Sequence, residues 1–591
     1  MRWLVLLPAL FAGAAMAGGA GERLTAAFAV PALLWMPGRG LAHRFTRDPL
    51  ARGVWTFWFS ALLAVPAVLV GAWTGLEGAG TLAAAATVTA ATARLAAPRP
   101  ARAPLPARVG MFALLVVLLG VGWSWRDALL RPLDRHWWFG PAETAWEAGS
   151  ATVLPASGSG WRDRTAVGWE DALAERFVPR SDRPFLLGPA RGPVVIALRG
   201  PVGATLRVGD EEAVVRADVV EVADEGAVPR YLDRGVAAVT LDLALEAGEK
   251  LELAVSDPAR SVVYLLGSSE AVWSLHAEGE LRFVHYYQLL NMVEQLHWAR
   301  ELYGDRRVTD VQPPLPSYLL AAPLSVTGGE LPTANLVFLL ELLAIGLAGL
   351  AAIAAWAPRA PLPAWLLPAG AVAMHAKLLL EPGSAMLPDS LYTLGVLGTV
   401  GALASPTGRY ATLALLAQLT RYPGSFVAAI AGILAGEPAR VARMLALVLA
   451  SAAAFGVGGW LSGSLDGWIV TVAWETGPEH WHGEHDPAVL LPRAPRFYAL
   501  WIAYAGALPL LAALRWPKGT RVALGTALLY SLLLCTIDHT PSHYFLPLVH
   551  LSALATACTA AATSHPRLRS WIPLAGLVGI SVAYAWAPVV G

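Results

Sequence analysis

The sequence predicts a mainly α, polytopic membrane helix bundle with an inserted extracytoplasmic β-sandwich-like domain. The chain is 56% hydrophobic and only 15% charged over 591 residues, with a mean hydropathy of +0.52, far too apolar for a soluble protein of this size. Apolar stretches of membrane-crossing length recur in both flanks, whereas the region between them alternates apolar and polar residues in short runs. Formal net charge is zero and the cations are almost all arginine, with lysine only at 250, 377 and 518, so no nucleic-acid partner is expected. Cys535 and Cys558 sit in apolar runs and read as buried thiols.

Residues 1–126 hold apolar spans at 3–20, 25–38, 53–72, 78–97 and 108–125, the second one short. Met1-Arg2-Trp3 and the apolar run to Ala20, with Ala15-Met16-Ala17 as a cleavage signature, also fit a signal peptide. We read a first membrane helix, because further spans follow at once. The loop with Arg39, Arg44, Arg47 and Arg52 is basic, that with Glu77 acidic, and that with Arg94, Arg99, Arg102 and Arg108 basic again. The positive-inside rule then puts the N-terminus in the cytoplasm and the region after Arg126 outside.

Residues 127–280 form that outer region. Between 185 and 266, runs such as Ala204-Thr205-Leu206-Arg207-Val208 and Val239-Thr240-Leu241-Asp242-Leu243 are broken by Gly-Asp, Ala-Gly and Asp-Pro turns, as in a small antiparallel sandwich. Residues 281–330 contain an interfacial amphipathic helix, with Phe283, Tyr286, Tyr287, Leu290, Val293, Leu296 and Leu302 on one face. It leads to the corner Asp310-Val311-Gln312-Pro313-Pro314-Leu315, where the prolines stop any helix arriving from upstream.

Residues 331–591 form a second membrane block. If 315–327 does not cross the bilayer, and 409–437 breaks at Tyr422-Pro423-Gly424 into two short helices, the basic loops at 359, 440–443, 515–521 and 567–569 all fall in the cytoplasm. The segments 381–390, 421, 475–496 and 538–543 then lie outside with the β domain, and about fifteen helical segments result.

Arg421 is the chief candidate for chemistry. A guanidinium at a Pro-Gly break inside an apolar run must face an anion or a cavity, or else snorkel to the interface. His543, His539 and Lys377 are expected near the same anion. The loop containing His480, His482, Glu484 and His485 is the one dense His/acid cluster. We read it as a ligand-contacting loop, with a divalent metal ion as the alternative. Trp161, Trp169 and Trp273 are either sugar-stacking or core tryptophans, and no Gly-rich nucleotide loop is present.

In order along residues 108–565, the amphipathic helix, Asp310-Val311-Gln312-Pro313-Pro314-Leu315, Leu387-Pro388-Asp389-Ser390-Leu391-Tyr392, Thr420-Arg421-Tyr422-Pro423-Gly424 and His543-Tyr544-Phe545-Leu546-Pro547-Leu548 resemble the GT-C membrane glycosyltransferases. The protein mannosyltransferase and aminoarabinose transferase branches are the most similar. The resemblance implies a bacterial inner-membrane enzyme that moves a sugar from a polyprenyl phosphate to a glycan, lipid or protein acceptor, with inversion. It also implies a carboxylate base in the first large loop. The family's acidic pair is replaced here by Phe283-Val284-His285, which leaves Asp134 and Glu280 as first candidates, followed by Asp127 and Asp310. For Asp134 a salt bridge to Arg131 or Arg135 is an equal alternative. Some family members use a divalent ion and others do not. A transporter of lipid-linked saccharide and a glycan-binding envelope protein are the competing classes.

Overall fold

The computed structural model describes residues 6–18, 22–93, 103–124, 172–177, 185–187, 190–201, 203–215, 234–246, 249–256, 262–268, 272–273, 315–327, 331–380, 388–405, 409–421, 424–462, 493–535 and 542–587. The chain divides into two units. One comprises Met1–Leu130, Gln312–Gly456 and Trp481–Gly591; the other comprises Arg131–Val311 and Val457–His480.

The described part of the first unit is helical. It begins with α1 (Leu7–Ala17), α2 (Glu22–Leu34), α3 (Met36–Phe45), α4 (Pro49–Thr74), α5 (Glu77–Ala93) and α6 (Leu105–Ser124). It resumes with α7 (Leu315–Thr327), α8 (Leu331–Trp356), α9 (Leu367–Leu380), α10 (Pro388–Ala402), α11 (Tyr410–Gln418), α12 (Gly424–Leu434) and α13 (Pro438–Ser462), the last of which continues past the unit boundary at Gly456. The last helices are α14 (Arg493–Ala505), α15 (Leu508–Ala512), α16 (Lys518–Leu534), α17 (Leu546–Ala562) and α18 (Pro566–Trp586). Several start on proline, whose missing N–H costs nothing in the first turn. Asp48 caps α4 by accepting from the Leu50 amide at 3.0 Å.

Six stretches are long and apolar enough to cross a bilayer: Pro49–Gly71, Leu105–Ser124, Thr333–Trp356, Leu362–Leu380, His543–Ala562 and Pro566–Trp586. They mark the chain as a membrane protein. The His543–Ala562 stretch is almost wholly buried, whereas α6 and α18 expose apolar side chains such as Leu119, Trp123, Trp571 and Val578. The first is therefore a central helix and the other two face lipid.

The N-terminal flank corrects the expected spans. α1 and α2 have 11 and 13 residues, about 17 and 20 Å of rise, short of a bilayer core of about 30 Å. The chain turns at Trp35, and Pro37 opens a new helix. The expected basic loop is thus largely helical, with Arg39 and Arg44 on α3 and Arg52 in the first turn of α4. The expected 440–443 loop is also helical, since Arg440 lies in the first turn of α13, and of the expected 381–390 loop the described residues Asp389 and Ser390 start α10. Pro388 and Pro438 are favourable first residues, and that explains both starts. The break in 409–437 does occur, between α11 and α12.

α3 is pressed against its neighbours. A Cβ on Gly40 would lie 2.0 Å from the Thr92 carbonyl oxygen, and one on Gly38 would lie 2.2 Å from that of Thr56. Gly38 also donates its amide to Ser60 Oγ at 2.9 Å. At the other flank, Arg440 donates to the Ser405 and Ala402 carbonyls, both at 3.0 Å, and so closes the C-terminal end of α10. The Tyr410 hydroxyl donates to the Ala428 carbonyl and ties α11 to α12.

The second unit contains nine described strands, all antiparallel to their partners. One sheet runs β1 (Ala172–Phe177), β8 (Val262–Ser268), β3 (Ala190–Pro201), β6 (Arg234–Leu245), with β9 (Val272–Trp273) also on β3. The other runs β2 (Phe185–Leu187), β7 (Lys250–Val255), β4 (Thr205–Val208), β5 (Glu211–Val214). β3 pairs with β6 from Ala190 opposite Leu245 to Pro201 opposite Arg234. Alternation sets burial: Leu206 and Val208 are inside while Arg207 is out, and Leu253 and Val255 are inside while Glu252 is out. The amphipathic region 281–303, Trp161 and Trp169 lie outside the described residues.

Gly40→Ala should lower the thermal unfolding midpoint in detergent, by overpacking worth about 1–3 kcal/mol. Gly120→Ala should leave it unchanged, because a Cβ there meets nothing within 4 Å. Equal midpoints for the two variants would show that α3 is not docked this closely.

Candidate functional site

The site begins with the corner between α11 and α12. After Gln418 the chain turns on hydrogen bonds from the Thr420 and Arg421 amides to the Ala417 carbonyl, at 3.2 and 3.0 Å. Gln418 Oε1 accepts from the Ser425 amide at 2.9 Å and caps α12. Only glycine fits the next position, because a Cβ on Gly424 would lie 2.4 Å from the Ala417 carbonyl carbon and the Gln418 nitrogen. This corner fixes Arg421.

Arg421 Nη2 donates to Asp389 Oδ2 at 3.0 Å. Asp389 occupies the first turn of α10, where the helix dipole favours a negative charge. Its side chain is 4% exposed and that of Arg421 is 27% exposed, so the carboxylate faces the interior while part of the guanidinium stays accessible. A carboxylate that deep needs a cation and hydrogen bonds to remain in place.

Tyrosines surround the pair. The Arg421 guanidinium lies 5.7 Å from the centre of the Tyr544 ring. Tyr392, one turn along α10 from Asp389, packs on Tyr530 of α16 at 6.1 Å, and both lie within electrostatic reach of Arg421 and Asp389. His543 is buried and meets Tyr544 edge-on at 4.7 Å, in the short 3-10 turn Ser542–Phe545 that precedes α17. Thus the Pro388–Tyr392, Arg421 and His543–Tyr544 motifs converge on one place. A guanidinium fork with phenol hydroxyls nearby suits a phosphate oxyanion.

Lys377, expected beside that anion, is engaged elsewhere. Its ammonium donates to the Tyr584 and Ala587 carbonyls at 2.7 and 2.9 Å, closing the end of α18. The reason is its position in the last turn of α9, beside carbonyls that have no helical partner. Asp127, Asp134, Glu280, Asp310, His539, His480, His482, Glu484 and His485 lie outside the described residues. Among the described residues no three His, Cys, Asp or Glu side chains group as a metal site.

Sequence reasoning missed a second polar cluster. His375 of α9 contacts His550 Nε2 through Nδ1 at 3.1 Å and Ser390 Oγ through Nε2 at 3.0 Å, and all three residues are buried. The contact to Ser390 adjoins Asp389 and holds the same helix start. Glu341, on α8, is buried one turn from Phe338, whose ring lies 6.4 Å from that of His375. A lone acid in the 26-residue apolar helix α8 was the sequence signal for it.

Comparison of the chain with protein-family models, with curated proteins and with solved structures gave no match.

Breaking the Asp389–Arg421 pair from one side should be costly. Asp389→Ala should destabilise the protein by about 1.5–3 kcal/mol, because a hydrogen bond between two charged groups is lost. The double variant Asp389→Ala, Arg421→Ala should lose less than the sum of the singles by at least about 1 kcal/mol. Additive losses in detergent unfolding would mean that the two groups do not interact.

Proposed function

We propose that the chain is a membrane glycosyltransferase of the GT-C type, which transfers a sugar from a polyprenyl phosphate to a glycan, lipid or protein acceptor outside the cytoplasm. The observation that carries this reading is the convergence of Arg421, Asp389 and Tyr544 at a helix corner of an apolar bundle. In this reading the acceptor oxygen or nitrogen attacks the anomeric carbon while the bond to the phosphate oxygen breaks, with inversion. The acceptor's proton passes to a loop carboxylate, Asp134 or Glu280 first and Asp127 or Asp310 next. The electron pair leaves on the polyprenyl phosphate, whose charge Arg421 offsets together with Tyr544, His543 and His539.

Asp389 then acts as a positioning residue, since its carboxylate is paired with the guanidinium that it orients. Lys377 contributes by holding α18. The loop with His480, His482, Glu484 and His485 contacts acceptor or phosphate, or binds a divalent ion. The two sheets form a sandwich, and the membrane is the inner membrane of a bacterium with the region after Arg126 outside the cytoplasm.

A second reading draws on the buried Glu341 and the His375–His550 pair. Ionisable groups inside a membrane bundle also mark proton pathways of transporters, which makes a proton-coupled carrier of lipid-linked saccharide the alternative.

Purified full-length protein given a panel of polyprenyl-phosphate sugars should release polyprenyl phosphate. Arg421→Lys keeps the charge and the pair but loses the planar fork, and should lower that release about a hundredfold. Release by Arg421→Lys equal to that of the parent chain contradicts the assignment. Movement of intact donor across vesicles without release establishes the transporter instead.

A further inference from the structure

The N-terminal flank carries a second cationic centre, apart from Arg421. Arg39 and His43 are four residues apart on α3, hence on one side of that helix. Arg52 reaches the same place from the first turn of α4, with Nη2 donating to the Arg47 carbonyl at 3.1 Å. Burial and the Arg52 and Arg39 guanidiniums, in that order, hold the His43 imidazole below its ordinary basicity. None of the three has an ion-pair partner among the described residues, and His43 Nδ1 and Arg52 Nε are buried there with no hydrogen-bond partner. Asp48, the acid nearest in sequence, accepts from the Leu50 amide and caps α4.

A fourth cation backs the cluster. The Arg409 guanidinium sits 4.7 Å from the Phe45 ring centre, and Phe45 packs on Trp55 and Phe59 at 4.4 and 5.2 Å. The platform is fixed by the close glycine contacts of α3 and by Thr92 Oγ1 donating to the Pro37 carbonyl at 3.2 Å. Loosely tethered arginines that only set topology would not need such docking, nor would they bury donor atoms without partners.

Depth in the bilayer selects the ligand. Arg52 lies in the first turn of the span Pro49–Gly71, so the cluster sits where the hydrocarbon core meets the headgroups. Arg409 precedes α11 and Arg421 follows it, so that helix of 9 residues separates the two centres, a rise of about 14 Å. We propose that Arg39, His43 and Arg52, backed by Arg409, bind the phosphate of an anionic phospholipid headgroup. The site stands independently of the glycosyltransferase reading.

The test uses the full chain in neutral detergent, titrated with phosphatidylglycerol, phosphatidylcholine or inorganic phosphate and followed by native mass spectrometry. Phosphatidylglycerol should bind in preference to phosphatidylcholine. Arg39→Gln and Arg52→Gln should each weaken it about fivefold, whereas Arg44→Gln, which removes the same charge from an exposed position, should not. Equal weakening by Arg44→Gln would reduce the site to diffuse surface charge and overturn the proposal. Equal binding of phosphatidylcholine would overturn it as well. Saturable binding of inorganic phosphate that displaces the lipid would assign the site to free phosphate and refute the headgroup. If Arg52→Gln does not fold, Arg39→Gln decides alone, because Arg39 is exposed and removing its guanidinium leaves the packing of α3 intact.

Discussion

The ion pair between Asp389 and Arg421 joins the start of α10 to the corner between α11 and α12, and the architecture of the membrane unit around the site depends on that join. Removing a carboxylate from water costs several kcal/mol, which pairing with a guanidinium can offset only if both groups are held in place. Two features hold them. Asp389 lies in the positive field of a helix start, and Arg421 projects from a corner whose glycine lets two helices meet at backbone contact. At its other end α10 is closed by Arg440, so charged groups pin the helix at both termini while its flanks are apolar.

Energetics and function meet in the asymmetry of that pair. The carboxylate is sealed but the guanidinium is about a quarter exposed, so part of a preorganised cation stays accessible. Such a charge needs no reorganisation when an anion arrives, and preorganisation is the largest contribution a protein makes to stabilising a departing phosphate. The His375 contacts to Ser390 and His550 supply a brace one residue from Asp389, linking α9, α10 and α17. In the proposed reading, phosphate binding rests on helix ends and one broken helix, positions where the backbone has polar groups to spare.

Much of this was legible in the sequence. Apolar length found the long helices, period-two alternation found strands such as Thr205–Val208, and a Pro-Gly dipeptide inside an apolar run found the corner that carries Arg421. Other parts were hidden for a physical reason. Hydropathy registers α1 and α2 as spans because it records composition and not where Gly18 and Trp35 turn the chain. It reads α3 as a basic loop because the features that dock that helix, Gly38 and Gly40, show no side chain to a pattern search. The pairing of Asp389 with Arg421 spans 32 residues, and the approach of Tyr544 to Arg421 spans more than a hundred. No local periodicity encodes such contacts. Lys377 shows the converse: a cation near the right helix end was legible, but only packing reveals that it donates to the carbonyls at the end of α18.

The central claim is that the Asp389–Arg421 corner receives a lipid phosphate. A cryo-electron microscopy map of the full chain with polyprenyl phosphate bound tests it directly. The account predicts phosphate density within hydrogen-bond distance of Arg421, roughly 2.7–3.2 Å, beside Tyr544 and with the Asp389 pair intact. Phosphate density at another place, with Arg421 engaged only by protein, would contradict it.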